Sequence, residues 1–206
     1  MQYLQDRWMR FWDAQGGTNP DQAVRAFARL QVSYSGSNRL YHNLGHIAHC
    51  LQELDDVVQL AYDLPAVELA LWYQNIVYNA GAPNNEERSA NEAIKDLQKL
   101  GQPPARGSRV AMLILATKHT TILEDHDSQL VADIDLSSLG LLWPQFNVNS
   151  QNIRNEYHHV PDEEFNRGRA KILQDFLDRP SIYYLPAFQE KYGIQARRNL
   201  EHAIAR

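Results

Sequence analysis

Two adjacent carboxamides, Gln74 and Asn75, interrupt the apolar run LALWYQNIVYN. A buried carboxamide is costly unless its oxygen and nitrogen are both bonded, so something polar is expected to face them. Four groups of residues compete for that place. In RLYHNLGHIAHCLQELD, His42, His46 and His49 recur at spacings of four and three, along one side of a helix. Two imidazoles four apart can share a metal; the alternative is surface or capping histidines. An apolar stripe of Ile47, Cys50, Leu51, Leu54, Val58 and Ala61 sets the core direction. His46 lies at its border, His42 somewhat further off and His49 furthest towards solvent, so His46 is the best inward ligand. In VADIDLSSLG, Asp133 and Asp135 sit among apolar residues. Such carboxylates are either helix caps or are paired with a cation. Lys118 and His119 end the apolar stretch before ILEDH, where the helix dipole by itself favours cations. Asn84 or Asn85 followed by Glu86 and Glu87 reads as a helix cap with an acidic first turn. No glycine-rich phosphate loop or G-x-S-x-G elbow occurs. Cys50 reads as a small core residue without an activating neighbour.

The elements that must position these residues are helices. Leu4, Trp8, Phe11 and Trp12 share one helical face, as do Val110, Leu113, Ile114 and Thr117, and Phe165, Ile172, Leu173, Phe176 and Leu177. Breaks fall at QGGTNP, SGSN, YDLP, NAGAPNN, GQPPARG and WPQFNVNS. No alternating strand pair, internal repeat or low-complexity tract is evident. The expectation is an all-α protein with one domain over residues 1–206, built from seven to nine helices. The segment Val67 to Tyr78 is apolar around its circumference, which predicts a central helix carrying Gln74 and Asn75 into the core or an internal cleft.

With 206 residues, 44% of them hydrophobic, the chain can bury a core without staples. A net charge of -5 without basic runs argues against nucleic acid or an anionic membrane as partner. One cysteine cannot form an internal disulfide, which fits a reducing compartment. Neither a signal-peptide layout nor a membrane-spanning run is seen, so a soluble cytoplasmic protein is expected.

Taken in order, YHNLGH, LALWYQNIVYN, NNEERSA, ATKH and DIDLSSLG resemble the HD-domain superfamily of metal-dependent phosphohydrolases, in particular a bacterial branch of about this length. IRNEY, GRAKILQDFL, IYY and ARRNLE extend the resemblance over nearly the whole chain. YHN followed by a histidine is also similar to the opening motif of cyclic-nucleotide phosphodiesterases, which share that fold. The resemblance implies an HD-type helical bundle in which an early histidine, a His-Asp pair on a central helix and a later Asp bind divalent metal. By position, His46 matches the early ligand, Gln74 and Asn75 the pair, and Asp133 the late ligand. His42 matches the histidine that protonates the leaving oxygen. Lys118, His119, Asp135 and Arg154 are expected around the site or facing a phosphate. The pair that names the superfamily is therefore absent, and Asn79 is a further departure at a position where related sequences tend to carry an acid.

Asn75 keeps the shape of Asp but loses its charge, and Gln74 replaces imidazole with a carboxamide, a weak ligand for the metals that imidazole suits. Two metals are not expected on such a set. The divalent cofactor is expected to be weakly bound or absent, with Lys118 or a protonated histidine neutralising Asp133. The functional expectation is a phosphohydrolase homologue whose activity on small phosphorylated metabolites or nucleotides is lost or reduced. The alternative is a non-catalytic protein binding such a molecule, or a partner, on the same fold.

Overall fold

A computed structural model describes residues 1–16 and 19–205. Among these the chain forms α1 (Gln2–Gln15), α2 (Pro20–Tyr34), α3 (Leu44–Asp56), α4 (Leu64–Tyr73), α5 (Asn85–Lys99), α6 (Pro104–Ala116), α7 (His126–Leu136), α8 (Trp143–Glu156), α9 (Asp162–Leu177) and α10 (Pro186–Ile204). Single 3-10 turns lie at Val58–Leu60 and Ser137–Gly140. The described residues contain no strand and form one compact helical domain, as the periodicity predicts. The helix count exceeds the expected seven to nine because proline in the first turn of several helices restarts the chain after short breaks. The break expected at QGGTNP includes Gly17 and Thr18, which lie outside the described residues. No helix among the described residues is long and apolar enough to cross a membrane.

Helix α4 is the central one. Asp63 caps it by accepting from the Ala66 N–H, and every residue from Leu69 to Tyr73 is buried. Its neighbours are α3, α5, α6 and α7, and Trp72 meets Trp8 and Phe27 edge-on. Each such large side chain contributes about 1.5–3 kcal/mol by leaving water. The expected helix from Val67 to Tyr78 is shorter than predicted: regular helix stops at Tyr73, and Gln74 is its cap residue. Competing hydrogen bonds account for the stop. Tyr34 Oη donates to the Trp72 carbonyl and accepts from the Asn75 N–H. Arg39 donates to the carbonyls of Asn75 and Ile76, and Ser89 bridges the N–H and carbonyl of Val77. These partners satisfy backbone groups that another helical turn would have paired internally.

The stripe on α3 is buried at Ile47, Cys50, Leu51 and Leu54, but ends there, because the helix closes at Asp56 and Val58 is exposed. Asn43 caps α3 through the N–H groups of Gly45 and His46, which fixes the entry of the histidine-bearing segment. On α9, Ile172 is exposed rather than buried, on the wall of the cleft described next.

Candidate functional site: a histidine-lined cleft

The ends of α3, α4, α7 and α8, the segment after α6, and one side of α9 enclose a cleft of about 430 Å³. His42, Asn75, Lys118, His119 and Asp135 all line it, so the structure brings together five of the residues singled out in the sequence.

His42 is held from one side by Glu156. The Glu156 carboxylate sits 2.6 Å from His42 Nδ1 and accepts the backbone N–H groups of Tyr41 and His42 at 2.8 and 2.9 Å. Tyr78 stacks on the imidazole at 4.0 Å between centroids. Burial lowers the affinity of His42 for a proton and outweighs the carboxylate beside it. Burial alone would raise Glu156, but the His42 ring and the two backbone donors hold it below the usual carboxylate range. The arrangement is thus a neutral imidazole with Nδ1–H donating to an ionised carboxylate. That bond fixes the tautomer and leaves Nε2 to the cleft.

Deeper in, four side chains converge. His46 Nε2 lies 3.0 Å from Asp135 Oδ1, and Gln74 Nε2 lies 3.3 Å from His46 Nε2 and 3.2 Å from Asp135 Oδ1. Cys50 Sγ lies 3.7 and 3.9 Å from the two ring nitrogens of His46 and 3.6 Å from Gln74 Nε2. His119 Nε2 meets the other oxygen of Asp135 at 3.0 Å. His119 adopts φ 57°, a left-handed conformation that is strained for a non-glycine residue. Burial would raise Asp135, yet His119 and His46 hold it far below the carboxylate range. His46 is raised despite its burial, by Cys50, Tyr41 and Asp135.

Several expectations need correction. Asp133 does not enter the cluster: its carboxylate accepts the N–H groups of Tyr184 and Leu185 at 2.8 and 2.7 Å, ahead of α10. Two residues further along α7 is about 200° around the helix axis, so Asp135 occupies the place expected for Asp133. Burial pushes Asp133 up to about 7 despite those two donors and nearby Arg179. Lys118 is not its counter-ion; it pairs with Glu87. Arg154 does not face the cleft either, since it binds Asp162 and the carbonyls of Tyr157 and Val160. His49 is half-buried and bonded to Ser137 Oγ at 2.8 Å, not turned to solvent. Asn84 forms no side-chain cap on α5, and Asn85 instead pins the preceding loop through Asn79 and Ala82.

The sequence reading missed Glu156, Cys50 as a neighbour of His46, and two arginines. Arg169 lines the cleft and, among the described residues, makes no ion pair or hydrogen bond. Burial lowers its pKa. Arg179 also lines the cleft, donates to the His119 carbonyl at 2.8 Å and keeps a buried Nη1 without a partner. Glu86 and Asp175 lie on the same walls, so the cleft is mixed in charge, with its unpaired cations on the α9 side. GRAKIL, within the resemblance, carries Arg169 and was the available signal for it.

A two-ion centre does not fit these residues, as the sequence leads one to expect. Gln74 and Asn75 are neutral, and Asp133 is committed to backbone donors. What the donor set offers is one compact group, in which ligand atoms of His46, Cys50 and Asp135 lie within 4.8 Å of one another. No family model matches the chain, and no curated protein or solved structure matches it.

Proposed function

We propose that the cleft binds a small phosphorylated molecule, such as a phosphomonoester or nucleotide, in a homologue of HD-type phosphohydrolases whose two-metal chemistry has been lost. The observation that carries this reading is Arg169, a partly buried guanidinium without a carboxylate partner that shares the cleft with His42. A desolvated cation of this kind is stabilised by an anionic ligand, and guanidinium suits phosphate through paired N–H donors. Arg179 adds an unused N–H on the same side. The ordered motifs from YHNLGH to ARRNLE support the family part of the reading.

Calorimetric titration with inorganic phosphate and with a nucleoside monophosphate tests it. Binding is expected in the wild-type chain and at least about tenfold weaker in Arg169→Ala, whose stability stays within about 0.5 kcal/mol because no partner is lost. Unchanged affinity in Arg169→Ala, or no heat at millimolar ligand, refutes the reading.

A second reading, residual ester hydrolysis, draws on the His42–Glu156 pair. An imidazole whose Nδ1–H is held by a carboxylate presents its Nε2 lone pair to the cleft. There it can take a proton from an attacking water and then return that proton to the leaving oxygen. Turnover that disappears in His42→Ala while phosphate affinity persists supports hydrolysis; binding without turnover leaves only the binding function.

A further inference from the structure

We propose that His46, Cys50, Gln74 and Asp135 form a mononuclear site for a thiophilic divalent transition-metal ion of the Zn2+ type, with Cys50 as its thiolate ligand. The inference is separate from phosphate binding and does not rest on it. It also departs from the ligand set implied by the resemblance, which contains no sulfur and includes a His-Asp pair that this chain lacks.

The first ground is that the contacts cannot all be hydrogen bonds. His46 Nε2 stands 3.0 Å from Asp135 Oδ1, where it must donate, and 3.3 Å from Gln74 Nε2, where it must accept. One ring nitrogen has a single in-plane position and cannot do both. A cation at the convergence point removes the conflict, because the imidazole and the carboxylate then both present lone pairs to it.

The second ground is an orphan. Gln74 is 1% exposed, and its Oε1 has no hydrogen-bond partner. A buried carbonyl oxygen left unpaired is costly, and the natural remedy is to turn the amide over. The oxygen then stands where Nε2 is now, beside His46, Cys50 and Asp135, as a fourth donor aimed at the same point. Without a cation, that turn would bring Oε1 against the Asp135 carboxylate.

The third ground is spacing. With Zn–N and Zn–O of about 2.0–2.1 Å and Zn–S of about 2.3 Å, a tetrahedral ion separates its N and O ligand atoms by about 3.3 Å, and sulfur from either by about 3.6 Å. The N and O separations here are 3.0, 3.2 and 3.3 Å, and those from sulfur to His46 Nε2 and Gln74 are 3.7 and 3.6 Å. Five edges of the tetrahedron are therefore in place before any ion arrives. His119, on the far oxygen of Asp135, fixes the carboxylate from outside. Sulfur and imidazole select a borderline-soft ion over Mg2+.

Because Cys50 is the only cysteine in the chain, the unaltered protein supplies the decisive test. Co2+ is titrated into the full-length, chelator-treated chain and followed by absorption. The expected result is one equivalent bound, with a near-ultraviolet thiolate-to-cobalt charge-transfer band that stoichiometric Zn2+ removes and excess Mg2+ does not. Cys50→Ser, checked for its fold by circular dichroism, is expected to lose the band and at least about 100-fold in Zn2+ affinity, a larger loss than that of an outer partner. If that variant does not fold, the wild-type spectrum decides alone. Stoichiometric Co2+ without the band, or no stoichiometric uptake, overturns the site. Phosphate binding without the band overturns this inference alone, whereas the band without phosphate binding overturns only the proposed function.

Discussion

Replacing Glu156 tests how the cleft is held together. Its carboxylate is buried at the end of α8 and bridges 114 residues of sequence to His42. It receives three bonds, from the His42 ring and the N–H groups of Tyr41 and His42, at 2.6, 2.8 and 2.9 Å. Glu156→Ala strands all three donors, at about 1–3 kcal/mol for each one that water does not reach. All three are neutral donors bonded to a charged acceptor and two of them are backbone groups, so about 4 kcal/mol is expected in total. Glu156→Gln keeps an oxygen for the backbone donors and turns its NH2 to His42 Nδ1. The bonds survive as neutral ones, and the loss falls to about 1–2 kcal/mol. The assay is urea unfolding at pH 7.5 with the slope checked for constancy. A loss below about 1 kcal/mol in Glu156→Ala refutes the reasoning.

The same pair has a pH signature. Both groups have folded pKa values below their unfolded ones, so both favour the folded state at higher pH. The His42 contribution is lost as pH falls through about 6.5, where the unfolded imidazole gains its proton. The Glu156 contribution is present above its unfolded value and is lost on further acidification, through its depressed folded pKa. In Glu156→Gln the second loss vanishes, whereas the first deepens because the carboxylate that favours the His42 proton is gone. The difference between the two proteins therefore narrows only below about pH 4.5, where wild-type Glu156 gives up its contribution. A difference that keeps widening below that pH contradicts the assignment.

Asp133→Ala should destabilise by about 2–4 kcal/mol in the same urea assay, because the N–H groups of Tyr184 and Leu185 lose their acceptor. It should leave the Co2+ spectrum unchanged, which a ligand could not do. His119→Gly and His119→Ala both remove the imidazole, but only glycine adopts φ 57° without strain, so the glycine variant should be more stable by about 1–2 kcal/mol in thermal or urea unfolding. Asn75→Asp places a negative charge on the wall of the cleft and should weaken phosphate binding about tenfold by calorimetry in metal-free protein.

Much of the fold was legible because periodicity reports which face of a helix is buried. Trp8 and Trp12 on α1, and Ile47, Cys50 and Leu51 on α3, lie where their spacing puts them. The same signal fails where a helix is buried all round. On α7, Val131, Ala132, Ile134 and Leu136 are all buried, so nothing in the pattern separates the face of Asp133 from that of Asp135. Glu156 was hidden for the opposite reason. Only Phe146 and Glu156 are buried on α8, and a carboxylate in IRNEY reads as surface until its partner, far away in the chain, is in view. The end of α4 was misplaced because Tyr34, Arg39 and Ser89 stop it from outside the segment.

The two carboxamides that first drew notice have parted company in space. Gln74 caps α4 with its side chain wholly inside, against His46, Cys50 and Asp135, whereas Asn75 is half-buried on the cleft wall. The two positions therefore bear on different chemistry. Gln74 offers a neutral amide oxygen, so the cation site we propose depends for its charge on Asp135 and on sulfur from Cys50, one helical turn beyond His46. Asn75 leaves a neutral side chain on the wall of the cleft that also carries Arg169, where an acid would repel the phosphate ester we propose as its ligand. Metal uptake at the first position and anion affinity at the second are therefore independent readouts of two neighbouring residues.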